Sequence, residues 1–468
     1  MSGTLFLSAN ALADHFARRT LSPVEVLKAT LARAELVQPE LNPFRKLYNA
    51  EALEAARQSE RRWAAGAALS LLDGVPIAIK DNQAVAGQTR MAGSRANEHT
   101  PNVTEDAPHV ARLREAGAIF FGRTNMPDFA WKAVTDSPLT GITRNPWNPE
   151  LTPGGSSGGS AVAVATGCGP IATGSDGGGS IRIPAAFTGI YGIKPTTGRI
   201  PGISEAPDIT AIGPLTRNVA DAAFALSIMC RPDSSDPFTA ALAVPDFVAE
   251  TKRGVAGLRV AVSATCGCIP AERWKFTALG EAARALGDAG ARVEYVDPSA
   301  WNVRRAYVTI CEVAFAALAA SMPAERMALL DPGLLETARR GMMMPAALER
   351  EAQLERVRLA QTFIRFFVEH DLLLLPCVPI APFKAGHNIN TPDASLYPEW
   401  YDWTPYTWIF NATKLPAASC PWGLDSEALP QAVQLAAPHF REDLLLRGSA
   451  ALEAAMPANT RPPHYADT

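Results

Sequence analysis

Between Gly154 and Gly179 the chain places ten glycines in 26 residues, where its overall 34 glycines in 468 would place about two. Five serines sit in or directly after that block: Ser156, Ser157, Ser160, Ser175 and Ser180. Glycine costs entropy inside regular elements, so such crowding marks backbone driven into unusual dihedrals or approached closely by another group. A flexible linker does not fit, because the apolar runs AVAVAT (161–166) and PIAT (170–173) must be buried. A Walker phosphate loop does not fit either, since no Gly-Lys-Ser/Thr ending is present. A nucleophile site does: in SDGGGS (175–180) consecutive unhindered N–H groups precede a hydroxyl, as acyl transfer requires to hold a developing oxyanion.

The elements that would position these groups read as alternating helix and strand. Ser22 with Glu25 makes a capping-box pattern and Pro23 suits the first helical position, so a helix should start there. GVPIAIK (74–80) is a short apolar run ending in Lys80, bounded by Asp73-Gly74 and Asp81-Asn82, which predicts a buried strand with the lysine at its end. A helix is expected from Thr104, with Val110, Leu113 and Ala116 on one face and Gly117 closing it. AIFFG (118–122) follows as a second buried strand, and helix then strand suggests a parallel crossover. The rhythm returns with strands at 258–262, 293–296 and 372–376, a helix over 272–289 and a long helix from Pro345. Polar stretches at 231–237 and 386–392 read as loops, neither long nor monotonous enough for an interdomain linker. The fold class is α/β, in one large domain with long surface excursions.

Composition narrows the partners. With 47% hydrophobic and 19% charged residues the chain is an ordinary globular one, and a net charge of −4 without a long basic run disfavours nucleic acid. Seven scattered cysteines, an odd number without a C-x-x-C pair, suit reduced thiols, and Cys266 with Cys268 lacks the cluster a zinc site needs, so no metal is implied. The N-terminus lacks a basic start and a sustained apolar core, and no stretch of about 18 uncharged apolar residues appears. The expectation is a soluble cytoplasmic protein with a small-molecule partner and no membrane.

The segment TPGGSSGGSAVAVATG…GSDGGGSIRIPAAFTGIYGIKPT, with GVPIAIKDN upstream, resembles the amidase signature hydrolases. The resemblance extends over most of the chain through GRTNMPDFA (122–130), RNPWNP (144–149), IGPLTRNVAD (212–221) and FNATKLPAASCPWG (410–423). It implies a single α/β/α sandwich around a large twisted mixed sheet over 1–468, in a fold often found as a dimer. An N-terminal helical segment covers about 1–70, the core with the catalytic residues about 71–230, and the remainder, about 231–468, completes sheet and pocket. By the same resemblance Ser180 is the nucleophile, Ser156 the bridging serine after a cis peptide at Gly155, and Lys80 the terminal base. A lysine of ordinary pKa near 10.4 accepts no proton at neutral pH, so burial must favour its neutral form. Ser157 would help hold Lys80; Gly177, Gly178 and Gly179, with Ser180, would offer oxyanion-hole N–H groups; Asp176 and Arg182 would anchor the loop. Glycine at 177 departs from the side-chain-bearing residue common in the family, which would loosen the hole or widen the pocket. The implied reaction is hydrolysis of a neutral, hydrophobic or aromatic amide through an acyl-enzyme, without cofactor, with carbamate (urethane), anilide and ester cleavage left open. The rivals are the glutaminase subunit of a tRNA-dependent amidotransferase and a non-catalytic binding protein on the same fold.

Other conspicuous residues are weighed against blander roles. None of the seven histidines has a G-x-S-x-G elbow to serve, which argues against a Ser-His-Asp triad. Seven aromatics crowd the fourteen residues from Tyr397 to Phe410, either as core packing against the sheet or as an aromatic pocket wall. Met126, Trp131, Tyr401 and Trp408 are the candidate substrate contacts. Met342–Met344 read either as an adaptable entrance or as a half-buried run.

Overall fold

Ser22 opens a helix in the computed structural model. Its Oγ accepts the Glu25 N–H at 3.1 Å, Glu25 Oε2 accepts the Ser22 N–H at 2.8 Å, and Pro23 begins the helix Pro23–Leu41. The structure describes residues 2–202, 208–268, 270–296, 301, 303–389, 399–457 and 461–465.

The strands are β1 (Phe44–Leu47), β2 (Pro76–Lys80), β3 (Ile119–Thr124), β4 (Asp136–Ser137), β5 (Gly141–Ile142), β6 (Ile171–Asp176), β7 (Tyr191–Lys194), β8 (Ala211–Thr216), β9 (Arg259–Val262), β10 (Arg292–Tyr295), β11 (Leu372–Pro376), β12 (Ala417–Leu424) and β13 (Pro430–Ala436). Apart from the short β4–β5 ribbon they join one 11-stranded sheet, in the order β1-β3-β2-β6-β8-β7-β12-β13-β11-β9-β10. It is a mixed sheet. β2 runs parallel to β3 and to β6, β9 runs parallel to β10 and to β11, and the other pairs are antiparallel.

The expected parallel crossover is the β2–β3 pair, joined through the helix Pro108–Glu115. That helix starts later than the Thr104 its periodicity suggests. Ala107, restricted by the proline after it, is extended (φ −60°, ψ 149°), and Pro108 supplies the first helical position. The later strands fall within a residue or two of expectation, with the helices Arg273–Asp288 and Ala346–Glu369 beside them.

Alternation along the strands explains how helices cover both faces. Ile77, Ile79, Val260, Val262, Leu372 and Leu374 join one apolar cluster with the helices Val219–Met229, Arg273–Asp288 and Glu442–Ala455. Their neighbours point the other way: Ala78 meets the helices Pro23–Leu41 and Gly158–Ala165, while Ala261, Leu373 and Leu375 meet Arg304–Ala320, Ala346–Glu369 and Pro405–Ala412. A strand buried on both sides must be apolar throughout, which is why β11 reads LLLLP. Among the described residues no helix is long and apolar enough to cross a membrane.

Leu374 is fully buried in this sheet. Leu374→Ala is expected to cost about 2–5 kcal/mol, read as a lower urea midpoint at unchanged slope.

Candidate active site

β2 and β6 are adjacent and parallel, so their C-terminal ends reach the same edge of the sheet, the side on which open α/β sheets build ligand crevices. Lys80 closes β2 and Asp176 closes β6. The Lys80 side chain is fully buried. Its Nζ lies 2.8 Å from Ser156 Oγ, 2.8 Å from Ser157 Oγ, 3.0 Å from Ser175 Oγ and 3.3 Å from Ser175 O. The Gly155–Ser156 peptide is cis, and the helix Gly158–Ala165 begins directly after Ser157.

These neighbours decide the charge of the amine. Burial pushes the Lys80 pKa down to about 7, while the nearby Asp176 carboxylate pulls it the other way. That carboxylate is spoken for. Arg182 grips it with Nε to Oδ2 and Nη2 to Oδ1, each at 2.9 Å, in a pair fully shielded from water. Burial alone would raise the Asp176 pKa, yet Arg182 holds it well below the usual carboxylate range. Arg182 also donates to Thr407 O, Gln434 Oε1 and Asn411 Oδ1, so the ion pair ties the glycine loop to the C-terminal third of the chain.

The backbone N–H groups of Gly177, Gly178 and Ser180 have no protein partner among the described residues. Gly179 differs from the sequence expectation: its N–H donates to Asp176 Oδ1 at 2.7 Å, because the ionised carboxylate folds back under the loop and takes the nearest donor. Ser156, Ser175, Gly177, Gly178 and Ser180 line one cavity. Among the described residues no hydrogen bond joins the Ser156 and Ser180 hydroxyls; such contacts commonly close only when substrate binds. Ser157 N–H donates to Ser180 O at 3.0 Å, which ties the two serine segments together through the backbone.

The rest of the cavity is largely aromatic: Phe129, Trp131, Tyr307, Phe315 and Trp400, with Ile183 and Ile209. Its polar lining includes Asn82 and Thr210, and the lysine in that lining, Lys132, is bonded to Asp136 at 2.5 Å. None of the seven histidines lines it. A Cβ on Gly177 would stand 3.0 Å from Thr210 Oγ1, so glycine there leaves the space beside the loop open.

Of the candidate contacts, Trp131 lines the cavity and three do not. Met126 is buried ahead of the Pro127 turn, and the chain presents Phe129 to Ala133 instead, after left-handed φ values of 45° at Phe129 and 59° at Ala130. Tyr401 sits under the Arg304 guanidinium, and its neighbour Trp400 takes the wall. Trp408 stacks behind Tyr307, with ring centroids 5.1 Å apart, as a second layer. Within the aromatic run Trp403, Tyr406 and Phe410 are core, while Tyr397 lies outside the described residues. Met342 and Met343 are exposed and away from the cavity. Tyr307, Phe315 and Phe129 carried no sequence signal of their own, since nothing local brings them to the glycine loop.

A family model described as Amidase matches residues 25–446. The acylamidase of Rhodococcus erythropolis is 34% identical, over 97% of this chain and 96% of its own. The indoleacetamide hydrolase of Bradyrhizobium diazoefficiens is 35% identical, over 92% of this chain and 83% of its own. A glutamyl-tRNA(Gln) amidotransferase subunit from Carboxydothermus hydrogenoformans is 33% identical, over 96% and 97%. The crystal structure of a bacterial aryl acylamidase, one of the amidase signature enzymes, superposes with a TM-score of 0.89 at 28% identity, covering 99% of this chain and 98% of that one.

An amine accepts a proton only when neutral. Turnover that uses Lys80 as a base is therefore lost as pH falls below about 7 and levels off above it. The pH profile of kcat/KM should show this single limb in the wild type, and Lys80→Ala should remove it.

Proposed function

This chain belongs to the amidase family and hydrolyses amides, and we propose that it does so through Ser180, Ser156 and Lys80 on a neutral, hydrophobic or aromatic substrate. Ser180 Oγ attacks the amide carbonyl as its proton passes to Ser156 Oγ, and the Ser156 proton passes to Lys80 Nζ. The same chain returns a proton to the leaving amine. Water then attacks the acyl-enzyme as its proton passes to Ser156 Oγ and the Ser156 proton to Lys80 Nζ, and a proton returned by the same relay restores the Ser180 hydroxyl as the acid leaves, with no cofactor in any step. The N–H groups of Gly177, Gly178 and Ser180 face the developing oxyanion. The observation that carries this reading is the buried Lys80 Nζ at 2.8 Å from Ser156 Oγ, ringed by serine oxygens.

Substrate class follows from the lining. Aromatic rings with a few neutral polar groups favour an uncharged aryl or bulky apolar group, and anilides, carbamates and aryl esters share that shape. The glutaminase reading is weaker. Glutamine carries an ammonium and a carboxylate, and the lining offers no uncommitted charge for either among the described residues, Lys132 being bonded to Asp136. The intact lysine and serines disfavour a silent binding protein.

Ser180→Ala should lower kcat by at least about 10³-fold and abolish labelling by a fluorophosphonate; full activity in that variant removes the assignment. A panel of aryl amides, aliphatic amides, carbamates, esters and glutamine, compared by kcat/KM, should rank aryl amides far above glutamine.

A further inference from the structure

The oxyanion loop is held by its carbonyls, and three of the groups that hold it come from distant parts of the chain. Asp176 O accepts Asn411 Nδ2 at 2.7 Å, Gly177 O accepts the Tyr307 hydroxyl at 3.4 Å, and Gly178 O accepts the Thr407 hydroxyl at 2.6 Å. Gly179 O accepts the Ile183 N–H at 2.7 Å, and Ser180 O accepts the Ser157 N–H. In a trans peptide the N–H points opposite to the carbonyl before it, so fixing each carbonyl also fixes the direction of the next N–H.

The grip on Gly178 is the shortest of these. The peptide from Gly178 to Gly179 is clamped at both ends, by Thr407 Oγ1 on its oxygen and Asp176 Oδ1 on its N–H. Thr407 is fully buried, and its own carbonyl accepts Arg182 Nη1 at 2.9 Å, which closes a ring from Asp176 through Arg182 and Thr407 back to the loop. Its hydroxyl also lies 2.9 Å from Thr404 O, one turn back on its helix, so one proton is shared with the shorter contact on the loop. The fit allows no side chain on Gly178 or Gly179: a Cβ on Gly179 would overlap Thr407 Oγ1, and one on Gly178 would overlap Tyr307 Oη.

From this geometry we infer that Thr407 is a positioning residue for the reaction: with Asp176, its hydroxyl immobilises the Gly178–Gly179 peptide that joins the two peptides carrying the Gly178 and Ser180 N–H groups, so that Tyr307 on Gly177 O and the Ile183 N–H on Gly179 O hold those groups toward the oxyanion. The inference rests on Ser180 and its loop being the acyl-transfer site. Thr407 touches no reacting atom, so its loss acts on the transition state and spares ground-state binding.

The test is Thr407→Val, which keeps the shape and removes the hydroxyl, beside Thr407→Ser, which keeps the hydroxyl. With an aryl amide substrate, the valine variant should lose at least about tenfold in kcat, below the 10²–10³ seen for removing a hole donor itself, with KM within about twofold. Inhibition by phenylboronic acid, which adds to a serine as a tetrahedral anion, should weaken by a similar factor, while competitive inhibition by aniline stays unchanged. Thr407→Ser should recover kcat to within about threefold. Wild-type kcat and boronate affinity in Thr407→Val would overturn the inference, as would equal weakening of boronate and aniline, or a serine variant as impaired as the valine. If the valine variant does not fold, Thr407→Ala is read by the same three measurements. A wild type that phenylboronic acid leaves uninhibited and a fully active Ser180→Ala would instead overturn the site reading itself.

Discussion

A lysine amine removed from water, with no carboxylate in contact among the described residues, is the constraint around which this molecule is arranged. An ammonium placed so deep loses its hydration, and only a partner anion or deprotonation relieves that loss. Asp176 is the nearby carboxylate, and had it met Nζ directly the amine would be held charged. Arg182 takes both its oxygens instead, leaving Lys80 to hydroxyls and a carbonyl that serve a neutral amine as well as a charged one. The fully buried Asp176–Arg182 pair thus does more than brace a loop. Because Arg182 balances the charge of Asp176, burial outweighs that carboxylate and lowers the Lys80 pKa.

The same pair divides the site between two parts of the chain. The groups proposed to handle protons come from β2, from the turn before the helix Gly158–Ala165 and from the end of β6, which parallel pairing brings to one edge. The groups that grip the glycine loop, Asn411, Thr407 and Tyr307, come from helices more than a hundred residues further on. Glycine suits the loop for a reason beyond freedom of dihedral: Thr407 and Tyr307 approach so closely that a methyl group on Gly178 or Gly179 would overlap them. The aromatic wall is built in the same way, since Trp408 backs Tyr307 and Trp131 meets Trp400 edge to face at 5.9 Å.

Where an interaction is local in sequence, it was legible before the fold. The Ser22 capping box, the apolar strands ending at Lys80 and Pro376, and the crossover between β2 and β3 follow from spacing and side-chain type. The glycine-serine block also announces its chemistry, because no packed helix or strand accounts for ten glycines among apolar runs. Legibility ends where a choice depends on which of two equally apolar neighbours faces the cavity. Trp400 lines it and Tyr401 does not; Phe129 lines it and Met126 does not. The reason lies in backbone turns such as the left-handed Phe129–Ala130 pair, which non-glycine residues adopt only under tertiary constraint.

By itself, then, the amino-acid order determined the alternation of helices and strands, the lysine and serines available for acyl transfer, and the loop that lies beside them. The tertiary structure alone decided that the Lys80 pKa falls so far, since a pKa depends on how much water and which charges surround the amine, and both are set by strands that meet only on folding. It likewise decided that the Gly179 N–H serves Asp176 while those of Gly178 and Ser180 stay free, because hydrogen-bond direction follows from peptide orientation, and that orientation is set in large part by Thr407 and Tyr307, which reach the loop only on folding.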